Sequence, residues 1–298
     1  MASALGFGDL VLCAGTVAAS GLIERIEAAS AAGFAGLSLF PDDYRRAREA
    51  GSSDAELRAR LRDHGIAIAE IDPLLSWLPG DASDAGVSEE GRAFLAAGED
   101  SFYAIADALG ARSINAALAD PRGVAIERVI DAFGALCDRA AAHGLLVTLE
   151  FLPWTPIGDA ATAARVVEKA GRANGGVMLD AWHQLRSGGS LASVDASRVR
   201  GVQLCDAPAA AEPDPIAETL HRRRLPGEGD ADLVALLRHL EAGGCTAPLG
   251  VEVFSDALAA QPLREVALRC AAAARTCLAA ARSRSTEPRS ESKSPFPA

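Results

Sequence analysis

Residues 145–151 read LLVTLEF. The run is apolar except for Thr148 and Glu150, with Gly144 before it and Pro153 just beyond it. Strands buried on both faces read in this way, because helices cover both sides of a parallel sheet. Runs of the same kind recur at 10–14, 36–40, 66–72, 113–116, 177–180, 202–205 and 250–254. Between them lie Ala-rich helical stretches at 20–32, 54–64, 90–109, 125–143, 160–170, 230–242 and 261–281. Glycine follows helix after helix (Gly33, Gly65, Gly110, Gly144, Gly171, Gly243), where it supplies the left-handed conformation of a C-cap. Eight β/α units predict a single-domain (β/α)8 TIM barrel, a fold that typically takes ~250 residues. An open doubly wound sheet is the alternative, but no GxGxxG or GxxxxGK follows any strand. The barrel is expected over residues 1–281. The stretch 282–298, RSRSTEPRSESKSPFPA, cannot bury apolar surface and is expected to be a disordered Ser/Pro-rich tail.

In a parallel barrel the strand C-termini surround the active site, so polar residues there are the first suspects. The fifth run carries Glu150, the sixth ends at Asp180, the seventh carries Gln203 and Asp206, and the eighth carries Glu252. A carboxylate inside an apolar strand costs free energy unless it is paired or bound to a cation. Taken singly, each acid would most simply cap a helix or pair with an arginine. Four consecutive strands each delivering an oxygen to one rim is a different matter. Glu150, Asp180, Gln203 and Glu252 make a hard, all-oxygen donor set that suits one divalent cation. Mn²⁺ or Mg²⁺ is favoured, and Zn²⁺ or Co²⁺ is also compatible.

His183 stands three residues beyond Asp180 in DAWHQLRSGG, where one ring nitrogen can meet substrate or metal. The three tryptophans, Trp77, Trp154 and Trp182, follow the third, fifth and sixth runs and are expected to wall the pocket against the apolar faces of a small ring or polyol. Arg186 and Arg224 are the favoured guanidinium contacts for substrate.

The chain of 298 residues carries a net charge of −11. Residues 282–298 hold four bases and two acids, a net +2, which leaves −13 on the body. Such a body repels phosphate backbones, so nucleic acid is not expected as a partner. No stretch approaches 18 uninterrupted apolar residues, so no membrane-spanning helix is expected. The N-terminus lacks the basic start and apolar core of a secretory signal. Six cysteines without CxxC spacing read as small buried hydrophobes of a reducing cytoplasm.

With these residues in view, the chain resembles the xylose-isomerase-like TIM-barrel superfamily of sugar isomerases and epimerases. The matching segments are VTLEF with Glu150, MLDAWHQLRSGG with Asp180 and His183, GVQLCD with Gln203, RLPGEGD with Arg224 and GVEVF with Glu252. The resemblance covers roughly residues 8 to 280. It implies that Glu150, Asp180, Gln203 and Glu252 bind one divalent metal, that His183 lies beside it and that Arg224 contacts substrate. Many epimerases of the family have histidine where this chain has Gln203. Glutamine there is closer to the hydroxypyruvate isomerases, inosose dehydratases and 3-dehydroshikimate dehydratases. A homo-oligomer is a further implication, although no apolar strip identifies an interface.

The expected reaction is a metal-dependent isomerisation or epimerisation of a sugar or polyol through an enediolate, with Glu150 and Glu252 moving the proton. The alternative is dehydration of a keto-polyol or keto-acid, such as an inosose or 3-dehydroshikimate, with His183 as the acid for the leaving hydroxyl. A family-two apurinic endonuclease is disfavoured by the acidic body and by too few histidines near the strand ends.

Overall fold

The computed structural model describes residues 5–79, 97–119 and 123–283. Eight parallel strands close into a barrel in sequence order: β1 (Leu10–Leu12), β2 (Gly36–Leu39), β3 (Ala67–Leu74), β4 (Ser113–Ala117), β5 (Leu146–Glu150), β6 (Gly175–Asp180), β7 (Val199–Leu204) and β8 (Leu249–Val251). Each lies on one of the eight apolar runs. β8 pairs with β1 through Val11 and Gly250, which completes the ring. The fold is a single-domain (β/α)8 TIM barrel.

Among the described residues the helices are α1 (Leu22–Ala32), α2 (Pro41–Glu49), α3 (Asp54–Asp63), α4 (Glu99–Leu109), α5 (Ile126–Ala141), α6 (Ala160–Ala170), α7 (Ala181–Ser187), α8 (Pro215–His221), α9 (Leu233–Ala242), α10 (Asp256–Ala259) and α11 (Leu263–Arg282). The long final helix packs against both α1 and α9 and so seals the outer layer between the first and last units of the barrel. Ala267, Ala271, Ala274 and Ala281 on its inner face are buried and allow close approach. The expected helix at 90–109 is seen from Glu99 onward; its first part, 90–96, lies outside the described residues. So do residues 284–298 of the expected tail, whereas Arg282 still belongs to α11.

Helix ends follow local chemistry. Ser53 begins α3 with a reciprocal capping box: its hydroxyl accepts from the Glu56 N–H and the Glu56 carboxylate accepts from the Ser53 N–H. Gly33 takes φ 76° at the end of α1, as expected. At α9 the expected Gly243 has φ −82°, and the left-handed residue is its neighbour Gly244 at φ 77°. α2 was not expected at all. Its sequence, PDDYRRARE, offers no apolar stripe, and only Asp43 is buried. Arg25 of α1, itself fully buried, holds both Asp43 oxygens at 2.7 and 2.9 Å and so fastens α2 to the barrel wall. None of the described helices is long and apolar enough to cross a membrane. All six cysteines are buried and free.

Candidate active site

The polar side chains buried within the barrel converge from six strands. β3 supplies Glu70 and Asp72, β4 Asn115, β5 Thr148 and Glu150, β6 Asp180 and β7 Gln203; Glu252 follows β8 directly, and all are buried. The parallel register sets Asn115 beside Thr148, Ala117 beside Glu150 and Asp180 beside Gln203, which brings these positions to neighbouring heights in the ring.

Asp180 ends β6 and is also the N-cap of α7. Its Oδ1 accepts from the His183 backbone N–H at 2.9 Å. The three-residue spacing from Asp180 to His183 is therefore cap geometry, and it turns the imidazole back over the barrel. His183 Nε2 lies 3.4 Å from Glu150 Oε1, while its Nδ1 is buried without a hydrogen-bond partner. Trp182 and Trp154 stand 5.1 and 5.7 Å from the His183 ring and 6.2 Å from each other, which encloses the imidazole in an aromatic wall.

Among the described residues, the buried guanidinium of this ring belongs to Arg223. Its Nη1 donates to Asp180 Oδ2 at 2.7 Å and lies 3.3 Å from Glu252 Oε2; Thr219 accepts from Nη2 at 2.8 Å. Its planar head also lies over the Trp182 and Phe254 rings at 5.7 and 5.3 Å. Burial alone would weaken that charge, but the facing carboxylates hold its proton more firmly than usual.

Arg223, with the Arg112 charge acting on Glu70, does not balance five buried carboxyl groups. Burial, joined by the charges of Asp72 and Glu150, pushes Glu70 well above the ordinary carboxylate range. Burial and the Glu150 charge raise Asp72 to about 8. Burial and Asp72 likewise raise Glu252 well above its usual value. Asp180 departs in the other direction. Burial opposes its charge, but Arg223, His183 and the capping N–H outweigh that penalty and hold it below the usual range. A ring that traps more negative charge than its own cations neutralise is suited to a bound cation.

Two buried oxygens sharpen that fit. Gln203 Oε1 and Glu252 Oε1 have no hydrogen-bond partner. Such an orphan costs roughly 1–3 kcal/mol unless something accepts its lone pair. In addition, one ligand atom from each of Glu150, Asp180 and His183 lies within 4.8 Å of the others. The donor set of carboxylate and amide oxygens, with an imidazole beside it, can hold a divalent cation.

The structure brings Glu150, Asp180, Gln203, Glu252 and His183 together, with Trp154 and Trp182 against the histidine. Other expected contacts lie elsewhere. Trp77 is buried against Phe133 of α5, 6.1 Å between ring centres, and donates to the Ala117 carbonyl, so it faces the helix layer. Arg186 is ion-paired to Glu218 behind Trp182 and donates to the Pro208 carbonyl. The Arg224 side chain is exposed and reaches only the Glu228 carbonyl, 3.2 Å away, while its backbone bridges Asp206. Asp206 is a fastener: its carboxylate accepts from the N–H groups of Ala207, Gly227 and Ala231 and pins the 224–231 loop.

Sequence reasoning passed over Glu70, Asp72, Asn115 and Arg223. The first two stand in IAEID within the third run, the same acid-in-apolar-strand signal that marked Glu150.

The xylose isomerase-like TIM barrel family model matches residues 26–273. The chain is 31% identical over 261 residues to the 3-dehydroshikimate dehydratase of Pseudomonas aeruginosa and 29% identical over 264 residues to that of Pseudomonas putida. Each match covers 84% of this chain but only 39% of the relative, so the chain spans about two-fifths of those proteins' length. Among solved structures, the IolI protein with a bound zinc atom superposes with a TM-score of 0.78 at 20% identity, over 91% of this chain and 98% of that one. The chain belongs to the xylose isomerase-like TIM barrel family.

Proposed function

We propose that this barrel is a divalent-metal-dependent dehydratase of a cyclic β-hydroxy keto-acid, of which 3-dehydroshikimate is the first candidate. The observation that carries the reading is the 31% identity, over 84% of the chain, to a relative named for that dehydration. The expected isomerisation or epimerisation would begin with the same proton abstraction, but the two Pseudomonas relatives favour dehydration.

Glu150, Asp180, Gln203 and Glu252 would hold the cation, with His183 beside it. When bound, the cation would polarise the substrate ketone and stabilise negative charge on its oxygen. The protein's own residues do the rest. A carboxylate oxygen, with Glu252 Oε1 the unpartnered candidate, takes the proton from the carbon next to the ketone. His183 gives its proton to the departing β-hydroxyl, which leaves as water with the C–O bond pair. The proton gained by the glutamate then restores the histidine, so substrate loses one H⁺ and one OH⁻ and the enzyme is unchanged. Trp182, fully buried, backs the imidazole away from bulk water, and the half-buried Trp154 offers an aromatic face to a flat ring.

The test is incubation of the chelator-stripped chain with 3-dehydroshikimate in D₂O, with and without Mn²⁺ or Mg²⁺, followed by NMR and ultraviolet absorbance. The expected result is metal-dependent loss of water with a new conjugated absorbance, abolished in Glu150→Gln and Glu252→Gln. Deuterium exchange with substrate otherwise intact would return the reading to an isomerase or epimerase. Silence with metal bound would refute the substrate assignment.

A further inference from the structure

We infer that Asn115 is a positioning residue for the metal-binding carboxylate of Glu150, set in place by the Thr148 hydroxyl. The inference rests on the proposed cation site and names residues that neither the sequence pattern nor the comparisons assign.

Asn115 stands in the middle of β4, in SINAA, and is fully buried. A buried amide in an apolar strand must satisfy two donors and an acceptor. Here each group has a partner. Asn115 Nδ2 donates to Asp72 Oδ1 of β3 at 2.9 Å and to Glu150 Oε2 of β5 at 2.7 Å. Its Oδ1 accepts from Thr148 Oγ1 at 2.8 Å. Turning the amide over would aim its carbonyl at the Glu150 carboxylate and its nitrogen at the Thr148 hydroxyl, which already donates to the Ile114 carbonyl, so the orientation is set by its surroundings.

Three consequences follow. Glu150 Oε2 is tied down, which leaves Oε1, the oxygen facing His183, as its freer atom. The carboxyl groups of Asp72 and Glu150 are joined on one nitrogen by a neutral donor. A lysine or arginine there would add a positive charge that opposes cation binding. Finally, Thr148 sits two residues before Glu150 on the same strand, so β5 supplies both the ligand and the hydroxyl that orients the amide holding it. Partners that orient metal ligands typically account for 10–100-fold in metal affinity or activity.

The test uses the full chain and Mn²⁺ alone, with affinity measured by electron paramagnetic resonance and folding checked by circular dichroism. Asn115→Leu, close in shape but without the amide, is expected to weaken Mn²⁺ binding by about 10–100-fold. Thr148→Val is expected to weaken it several-fold, and Thr148→Ser, which keeps the hydroxyl, to restore wild-type affinity. Folded Asn115→Leu protein that binds Mn²⁺ like wild type would overturn the inference. If that variant does not fold, the Thr148 pair decides: equal affinities for Val and Ser refute it. A wild-type chain that binds no Mn²⁺ also refutes it. Wild-type binding without dehydration refutes only the proposed function, because the affinity comparison does not require turnover.

Discussion

Arg223→Met keeps most of the side chain's length and removes its charge, and the structure sets the size of the effect. Arg223 Nη1 lies 2.7 Å from Asp180 Oδ2 and 3.3 Å from Glu252 Oε2, with all three side chains nearly inaccessible. At an effective dielectric of about 20, the Arg223–Asp180 pair interacts by roughly 6 kcal/mol before desolvation is counted. Much of that is offset by the cost of burying the charges. Removing one partner leaves the other charge behind, which typically costs ~3–5 kcal/mol. Urea unfolding at pH 7 in the presence of a chelator should therefore show a loss of about that size. The pH dependence fixes the cause. Asp180 is held below its ordinary range, so its stabilising pairing is fully present above the unfolded carboxylate pKa, ~3.9, and is lost as pH falls through the lower folded value. The gap between wild type and variant should narrow as pH falls below the unfolded carboxylate pKa of ~3.9. A gap below about 0.5 kcal/mol at pH 7, the range of ordinary surface changes, would refute the reasoning, as would a gap that widens on acidification.

Asp72 gives the opposite sign. Burial and Glu150 raise it to about 8, so its ionisation destabilises the chelated protein progressively from above pH ~4 until pH passes about 8. Asp72→Asn should gain on wild type across that window, by at most ~1.4 kcal/mol per pH unit in urea titrations. A flat difference would remove the buried-charge account. Gly229→Ala would place a Cβ 2.3 Å from Asp206 Oδ1 and 2.5 Å from the Ala207 carbonyl oxygen. Backbone must then move, so calorimetry should show a loss of ~1–3 kcal/mol, with faster proteolysis in the 224–231 loop.

All eight strands were legible because each is an apolar run bounded by breakers, and burial on both faces leaves a continuous run rather than an alternation. α2 was illegible for the converse reason. Its attachment is an ion pair between Arg25 and Asp43, and in PDDYRRARE a buried aspartate reads like an exposed one. The Arg222-Arg223-Arg224 run hid its buried member in the same way. The flanking arginines form backbone bridges, to Ser255 and Asp206, and point outward, while the alternation of an extended segment turns Arg223 inward. Glu70 and Asp72 were legible in principle. Asp72 closes the third run and Glu70 stands two residues before it, so both carry the signal that marked Glu150 and Asp180, but the rim is read from the last four runs alone. The role of Asn115 depends on contacts across three strands, which no local pattern carries.

The central claim is that the buried carboxylates gather around one cation at the barrel mouth. Anomalous diffraction from crystals equilibrated with Mn²⁺ tests it most directly. The account predicts a single strong peak within coordination distance of Glu150, Asp180, Gln203 and Glu252, with the Gln203 and Glu252 oxygens no longer orphaned. A protein saturated with Mn²⁺ that shows no peak there, or only a peak outside the barrel, would contradict it.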